Sequence, residues 1–269
     1  MPEGDTIFRA ARSLGRWLEG RTITAARSQR LKVPAERLVG QTVEKVEARA
    51  KHLLIRFSGG DVLHTHMRMT GSWHVYPAGE RWRKPAWQAR VVLEAGDHVA
   101  VCFDAPVVEL LAEGEEHRHP SIAGLGPDVL VDPFDMGEVL RRARRQPPER
   151  AAGEVLLDQR VVSGIGNIYR CESLFAARLH PETPVAALDD DALVALVEQA
   201  SALMRANLAR APNAGAGRTF APPGGPAGPW VYGRTERPCY RCRTPIRTAR
   251  LGDPPRDVWW CPTCQLSRK

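Results

Sequence analysis

Four cysteines near the end of the chain constrain its fold more than any other feature. Cys239 and Cys242 are separated by two residues, Cys261 and Cys264 likewise, and eighteen residues lie between the pairs. Paired knuckles at this spacing predict one tetrahedral zinc ion held by four thiolates. All four positions are then filled by the protein. The ion has no place for a water molecule and is expected to be structural rather than catalytic. Between the knuckles, Ile246 and residues 258–260 flank the turn Gly252-Asp253-Pro254-Pro255. That pattern predicts a β-hairpin with Arg256 near its tip. Cys102 and Cys171 sit in apolar stretches and read as buried thiols. No run approaches the roughly 18 apolar residues of a membrane span. The N-terminus carries acids where a signal peptide has an apolar segment. A cytoplasmic location is expected, where six cysteines serve as ligands or thiols rather than disulfides.

The first half of the chain changes period twice. Ile7, Ala10, Ala11, Leu14, Trp17 and Leu18 recur at helical spacing up to Gly20, which predicts an amphipathic helix over 3–19. Alternation then takes over: Val43 and Val46, the run 51–57, Val62-Leu63, residues 91–93 and 99–103 read as strands, with Gly59-Gly60 as a hairpin turn. Several short strands at close spacing predict a β-sandwich. A loop-like stretch over 120–133 marks a domain boundary. Helices are expected over 136–145, over 154–162, from Ile168 to Phe175, and over 189–209 with an acidic first turn. Asn167, behind the turn Ser163-Gly-Ile-Gly, stands where a second helix starts. Such an N-terminus can offer backbone N–H groups to a phosphate, or the glycines can serve the turn alone. The Gly/Pro/Ala-rich stretch 211–229 reads as a flexible loop.

Charge bears on the partner. The formal net charge is +7; residues 1–60 carry 12 basic and 6 acidic side chains, and residues 230–269 carry 9 and 3. Two basic ends around a near-neutral middle suggest a polyanion, most simply nucleic acid. The first residues suggest what is done to it. If Met1 is removed, Pro2 becomes a free secondary amine. α-Amino groups titrate at about 7.7–8.0, so such an amine is partly neutral near pH 7 and can attack an aldehyde-level carbon to give an iminium. Glu3 beside it is a ready proton donor or acceptor. The alternative is an ordinary helix start, with proline at the first helical position and acids in the first turn.

Taken together these motifs resemble one family. Met1-Pro-Glu-Gly, Asp158-Gln159 leading to Gly164-Ile-Gly-Asn-Ile-Tyr169, Glu172-Ser-Leu-Phe175, and a four-cysteine hairpin closing on Cys261-Pro-Thr-Cys-Gln265 look like the formamidopyrimidine-DNA glycosylase/endonuclease VIII family, in order and over nearly the whole chain. The resemblance implies an α+β fold: a catalytic β-sandwich flanked by helices over 1–120, a hinge over 121–134, a helix–two-turn–helix domain over 135–210, the loop 211–229, and a zinc-finger hairpin over 230–269, with damaged double-stranded DNA in the cleft. It implies Pro2 as the nucleophile at the sugar C1′, Glu3 as proton donor to the sugar, and Lys51 near the 3′ phosphate and the eliminated proton. Asn167 and Arg256 would grip phosphate. His66 would contact phosphate and Met69 would enter the duplex where the base leaves, although by themselves both read as core residues. Lysine is scarce in this chain, five against 33 arginines, which singles out Lys51.

Departures from the family pattern set the branch. Where the formamidopyrimidine branch has an Arg-Arg-Phe-Gly turn, this chain reads Phe103-Asp-Ala-Pro-Val-Val-Glu109, without arginine, as the endonuclease VIII branch does. Thr6 stands for a glutamate and Gly124 for a basic residue, which puts details of the lesion pocket and phosphate contact in question. The expectation is a monomeric glycosylase and abasic-site lyase for oxidised bases, pyrimidines foremost, that cleaves by β,δ-elimination with one structural zinc and no organic cofactor. A non-catalytic binder of damaged DNA would not need Pro2, Glu3 and Lys51. A zinc-ribbon RNA-binding protein would leave the first half of the chain unexplained.

Overall fold

Ile7, Ala11, Leu14 and Leu18 fall on one stripe of the first helix, α1 (Gly4–Leu18), and all four are buried. They complete a core that two sheets share. The computed structural model describes residues 2–29, 33–209 and 228–266. Two compact units divide at Gly124 and Leu125.

In the first unit α1 is followed by β1 (Ala25–Ser28), β2 (Val43–Arg49), β3 (His52–Phe57), β4 (Asp61–His66), β5 (Ser72–Pro77), β6 (Ala89–Ala95), β7 (His98–Phe103) and β8 (Val107–Ala112). One antiparallel sheet runs β1-β6-β7-β5 and the other β2-β3-β4-β8. The inward residues Leu53, Ile55 and Phe57 of β3, Leu63 of β4, Val91 and Leu93 of β6 and Ala100 and Cys102 of β7 meet in one cluster with α1. This is the expected sandwich, and Cys102 is a core thiol. Gly59-Gly60 closes the β3–β4 hairpin, where the Gly60 amide donates to the Phe57 carbonyl at 2.9 Å.

Helices α2 (Met136–Arg144), α3 (Ala152–Leu157), α4 (Asn167–Ala176) and α5 (Asp190–Leu208) build the second unit, with a hairpin of β9 (Arg247–Leu251) and β10 (Arg256–Trp260). Asp135 and Asp189 cap α2 and α5 by accepting from the Glu138 and Ala192 amides at 2.8 Å. The helix expected over 154–162 is shorter than its apolar run. It ends at Leu157, and Asp158 leaves the helix with extended backbone. The Asp158 carboxylate accepts from the Arg160 amide and pairs with Arg150, which fixes a turn there. Val161 and Val162 are buried without being helical. Most of the loop expected over 211–229 lies outside the described residues.

The hairpin packs on a small core. Val231, Ile246, Val258, Cys239 and Cys261 share a buried cluster with Cys171 and Phe175 of α4, flanked by Trp230, Trp259 and Trp260. Arg241 lies over the Phe175 ring and donates to its carbonyl at 3.0 Å. Glu172 of α4, buried, accepts from the amides of Trp230, Val231 and Tyr232 at 2.7 to 3.0 Å. Gln265 accepts from the Cys261 amide and donates to the Leu179 carbonyl. The hairpin is therefore tied to α4 through side chains on both. No described helix is long and apolar enough to cross a membrane.

Candidate active site

Pro2 is not the first residue of a helix. Glu3 is the cap of α1, with φ −123° and ψ −179°, and its carbonyl accepts from the Thr6 and Ile7 amides. Pro2 stands outside, half-buried. Both nearby acids, Glu3 and Asp5, are buried. Pro2 precedes the helix, while Asp5 does lie in its first turn. Met1 lies outside the described residues.

Lys51 sits in the turn before β3 rather than at the start of the strand. Ala50 ahead of it has φ +55°, a left-handed conformation rare for residues with a Cβ. Lys51 acts on His66, which ends β4. Burial first, and then the charges of His64, Lys51 and Arg68, push His66 down to about 4. His66 is therefore neutral near pH 7. Its Nδ1 accepts from the Arg68 amide at 3.2 Å, which leaves the proton on Nε2 as a donor for a ligand. Met69 is 65% exposed at the tip of the following loop, while Met67 takes the core position. Gly71 is required there: a Cβ would come within 2.7 Å of the Met67 backbone. The core reading thus fails for Met69.

In the second unit Asn167 is tied to the strand that carries Arg256. Gly164, with φ +94°, lets the chain turn into α4, and Gln159 holds that turn by donating to the Leu157 and Ile165 carbonyls and accepting from the Gly164 amide. Asn167 is the first residue of α4. It donates from Nδ2 to the carbonyl of Asp257, next to Arg256 on β10, at 2.9 Å. Arg170, one turn on, donates to the same carbonyl at 2.8 Å. Arg170 is fully buried, yet its Nε and Nη1 have no partner among the described residues, nor has Asn167 Oδ1. Burial, with Arg256 adding to it, pushes Arg170 below the usual guanidinium range. Arg150, Arg160, Arg170 and Arg256 line a cavity of about 260 Å³ with Glu154 and Asp158. A buried guanidinium with open donors beside three further arginines suits a bound anion. The sequence reading passed over Arg170, although its place three residues after Asn167 puts both on one helix face.

The four cysteine sulfurs lie within 4.8 Å of one another. The Arg241 and Cys264 amides donate to the sulfurs of Cys239 and Cys261 at 3.4 Å, as N–H groups do toward thiolates. A hydrogen bond with the Thr244 hydroxyl draws Cys242 down to about 6, whereas burial pushes Cys261 and Cys264 up. Four sulfurs converging within this span, two of them accepting amide N–H groups, fit a four-thiolate metal site.

The sandwich, the anion-suited end of α4 and the four-cysteine hairpin define a helix–two-turn–helix protein with a finger motif. Comparison with known proteins names the family. A formamidopyrimidine-DNA glycosylase N-terminal domain matches residues 1–106, and a formamidopyrimidine-DNA glycosylase H2TH domain matches residues 125–216. A probable endonuclease 8 from Streptomyces coelicolor is 42% identical, over 98% of this chain and 94% of its own. A DNA-(apurinic or apyrimidinic site) lyase from Mycolicibacterium smegmatis is 36% identical over 99% of this chain and 100% of its own. A Lactococcus lactis protein solved with abasic-site DNA superposes with a TM-score of 0.80 at 20% identity, covering 99% of this chain and 100% of its own. The chain belongs to the formamidopyrimidine-DNA glycosylase/endonuclease VIII family.

Proposed function

We propose that the protein is a bifunctional enzyme of base excision repair, a DNA N-glycosylase and abasic-site lyase acting on oxidised pyrimidines in double-stranded DNA. The observation that carries this reading is Pro2 standing just outside α1 beside a buried Glu3, in a chain of this family. With Met1 removed, the Pro2 nitrogen attacks the sugar C1′. The C1′–N bond breaks and the base leaves with its electron pair. Glu3 gives a proton to the sugar oxygen as the ring opens to the iminium. The iminium then acts as electron sink: loss of a C2′ proton expels the 3′ phosphate, a second elimination expels the 5′ phosphate, and water releases Pro2. Lys51 serves the 3′ phosphate and the eliminated proton. Asn167 and Arg256 hold phosphate, His66 adds a neutral N–H donor, and Met69 fills the gap left by the flipped nucleotide, whose unstacking costs a few kcal/mol. Cys239, Cys242, Cys261 and Cys264 hold one zinc ion, whose filled coordination shell gives it a structural role. The protein acts as a monomer in the cytoplasm.

Two outcomes follow for the substrate and the anion cradle. The connection from β7 to β8, residues 104–106, has no arginine to read the opposite base. A bidentate base contact is worth about 1–3 kcal/mol, so its absence leaves weak discrimination over the opposite base. In single-turnover assays thymine glycol and 5-hydroxyuracil should be excised faster than 8-oxoguanine, with little dependence on the opposite base; efficient excision of 8-oxoguanine only opposite cytosine would contradict the assignment. Arg170→Met should weaken DNA binding and lower its salt slope by about one. It should leave the melting temperature unchanged or raised, because a buried cation with open donors is removed. A variant that loses stability but not affinity would make Arg170 purely structural.

A further inference from the structure

His64, Glu109 and His119 have no part in that chemistry, yet they form a built group on the outer face of the β2-β3-β4-β8 sheet. His64 on β4 lies directly opposite Glu109 on β8. Its Nδ1 is 2.9 Å from Glu109 Oε2, and His119 Nε2, from the segment after β8, is 3.1 Å from the same oxygen. One ligand atom from each residue falls within a 4.8 Å span. The remaining ring nitrogens are also engaged: His64 Nε2 with His52 Nδ1 at 2.8 Å, and His119 Nδ1 with Ser121 Oγ at 2.9 Å and, as acceptor, with the Ser121 amide at 3.4 Å. Partners of that kind fix ring orientation and tautomer around metal ions. The His64 side chain has no exposed surface, His119 has 18% and Glu109 42%, so the group opens toward solvent on the Glu109 side.

We propose that His64, His119 and Glu109 bind a divalent transition-metal ion, with Zn2+ the best match, leaving one coordination position to water. Two imidazoles and a carboxylate suit zinc or its neighbours rather than Mg2+ or Ca2+, which take oxygen ligands. Zn–N and Zn–O bonds of about 2.0–2.1 Å set tetrahedral ligand atoms about 3.3 Å apart, a few tenths of an ångström beyond the two contacts to Glu109 and inside the 4.8 Å span of the three ligand atoms. Metal binding requires both ligating imidazoles to shift tautomer: His119 moves its proton from Nε2 to Nδ1, where it is donated to Ser121 Oγ and replaces the long contact from the Ser121 amide. When His64 gives its Nδ1 to the metal, its proton resides on Nε2 and is donated to His52 Nδ1, and the His52 proton moves to Nε2. The site is independent of the four cysteines and sits at the end of β4 that leads into the His66–Met69 loop.

The test uses the full-length protein, dialysed against micromolar free Zn2+, desalted and counted by inductively coupled plasma mass spectrometry. Wild type should hold one ion per chain more than His119→Ala and one more than Glu109→Gln. Equal counts in wild type and both variants would overturn the proposal. Cobalt supplies a readout on the wild type alone. Stepwise Co2+ loading should give one set of ions with thiolate-to-metal charge-transfer bands and a further ion with weak d–d bands only. If every bound cobalt shows thiolate bands, no histidine site exists.

Discussion

Replacing Pro2 with glycine should reduce borohydride trapping of the protein on abasic DNA by roughly two orders of magnitude or more, the scale on which loss of a covalent or acid–base partner is felt. Glycine keeps a primary amine at the same position, so a residual product is expected. Retention of Met1 should block trapping, because an acylated proline nitrogen cannot attack. Glu3→Gln should divide the two activities. Base release needs a proton donor at the sugar and should fall by about 10²–10⁴-fold. Strand cleavage at a preformed abasic site should fall far less, since the base is already gone. Both steps are read on one labelled duplex series under single-turnover conditions. Equal losses in the two steps would remove Glu3 from the donor role.

The second large effect concerns the four-cysteine hairpin. In small zinc modules the metal-binding free energy, about 10–16 kcal/mol in peptides at pH 7, is largely folding free energy. Cys261→Ser should therefore lose the structural zinc and unfold residues 239–264. The shared cluster with Cys171 and Phe175 carries the damage into α4. Asn167 and Arg170 would lose the Asp257 carbonyl as well as Arg256. The first unit, whose core is drawn from its own strands and α1, should keep its melting transition. Arg256→Ala should reproduce much of the activity loss with zinc still bound, and should lower the salt dependence of DNA binding by about one phosphate contact. Zinc content, affinity against salt and strand cleavage, measured on both variants, separate a fold effect from a contact effect. A Cys261→Ser protein that binds no zinc yet cleaves abasic DNA at the wild-type rate would leave the hairpin without a role.

The sequence made the inner strands of both sheets legible, and of the four edge strands only β2. Strands β3, β6 and β7 lie inside their sheets and carry runs of buried apolar residues. Strands β1, β5 and β8, which the sequence reading missed, are sheet edges with one neighbour each. Only Tyr76 is fully buried in the whole of β5, so its sequence shows little alternation. The apolar run through Val161 and Val162 suggested a longer helix because burial and helicity look alike in a short stretch. Asp158 decides the matter by bonding within the turn. The small core under the hairpin was invisible for a different reason: Phe175 and Val231 come from distant parts of the chain. In the candidate site, Asn167 and Arg256 were readable one at a time through family motifs. That Asn167 and Arg170 share the Asp257 carbonyl, next to Arg256, was not readable, and neither was the open guanidinium of Arg170. The histidine group depends on the register of β4 against β8, which no local pattern reveals.

The central claim is that the amine of Pro2 forms the bond to DNA. The direct measurement is mass spectrometry of the borohydride-reduced complex after nuclease and trypsin digestion. The account predicts the sugar remnant on the peptide beginning at Pro2 and ending at Arg9, attached at the proline nitrogen. A remnant on Lys51 or another lysine, with the N-terminal peptide unmodified, would contradict it.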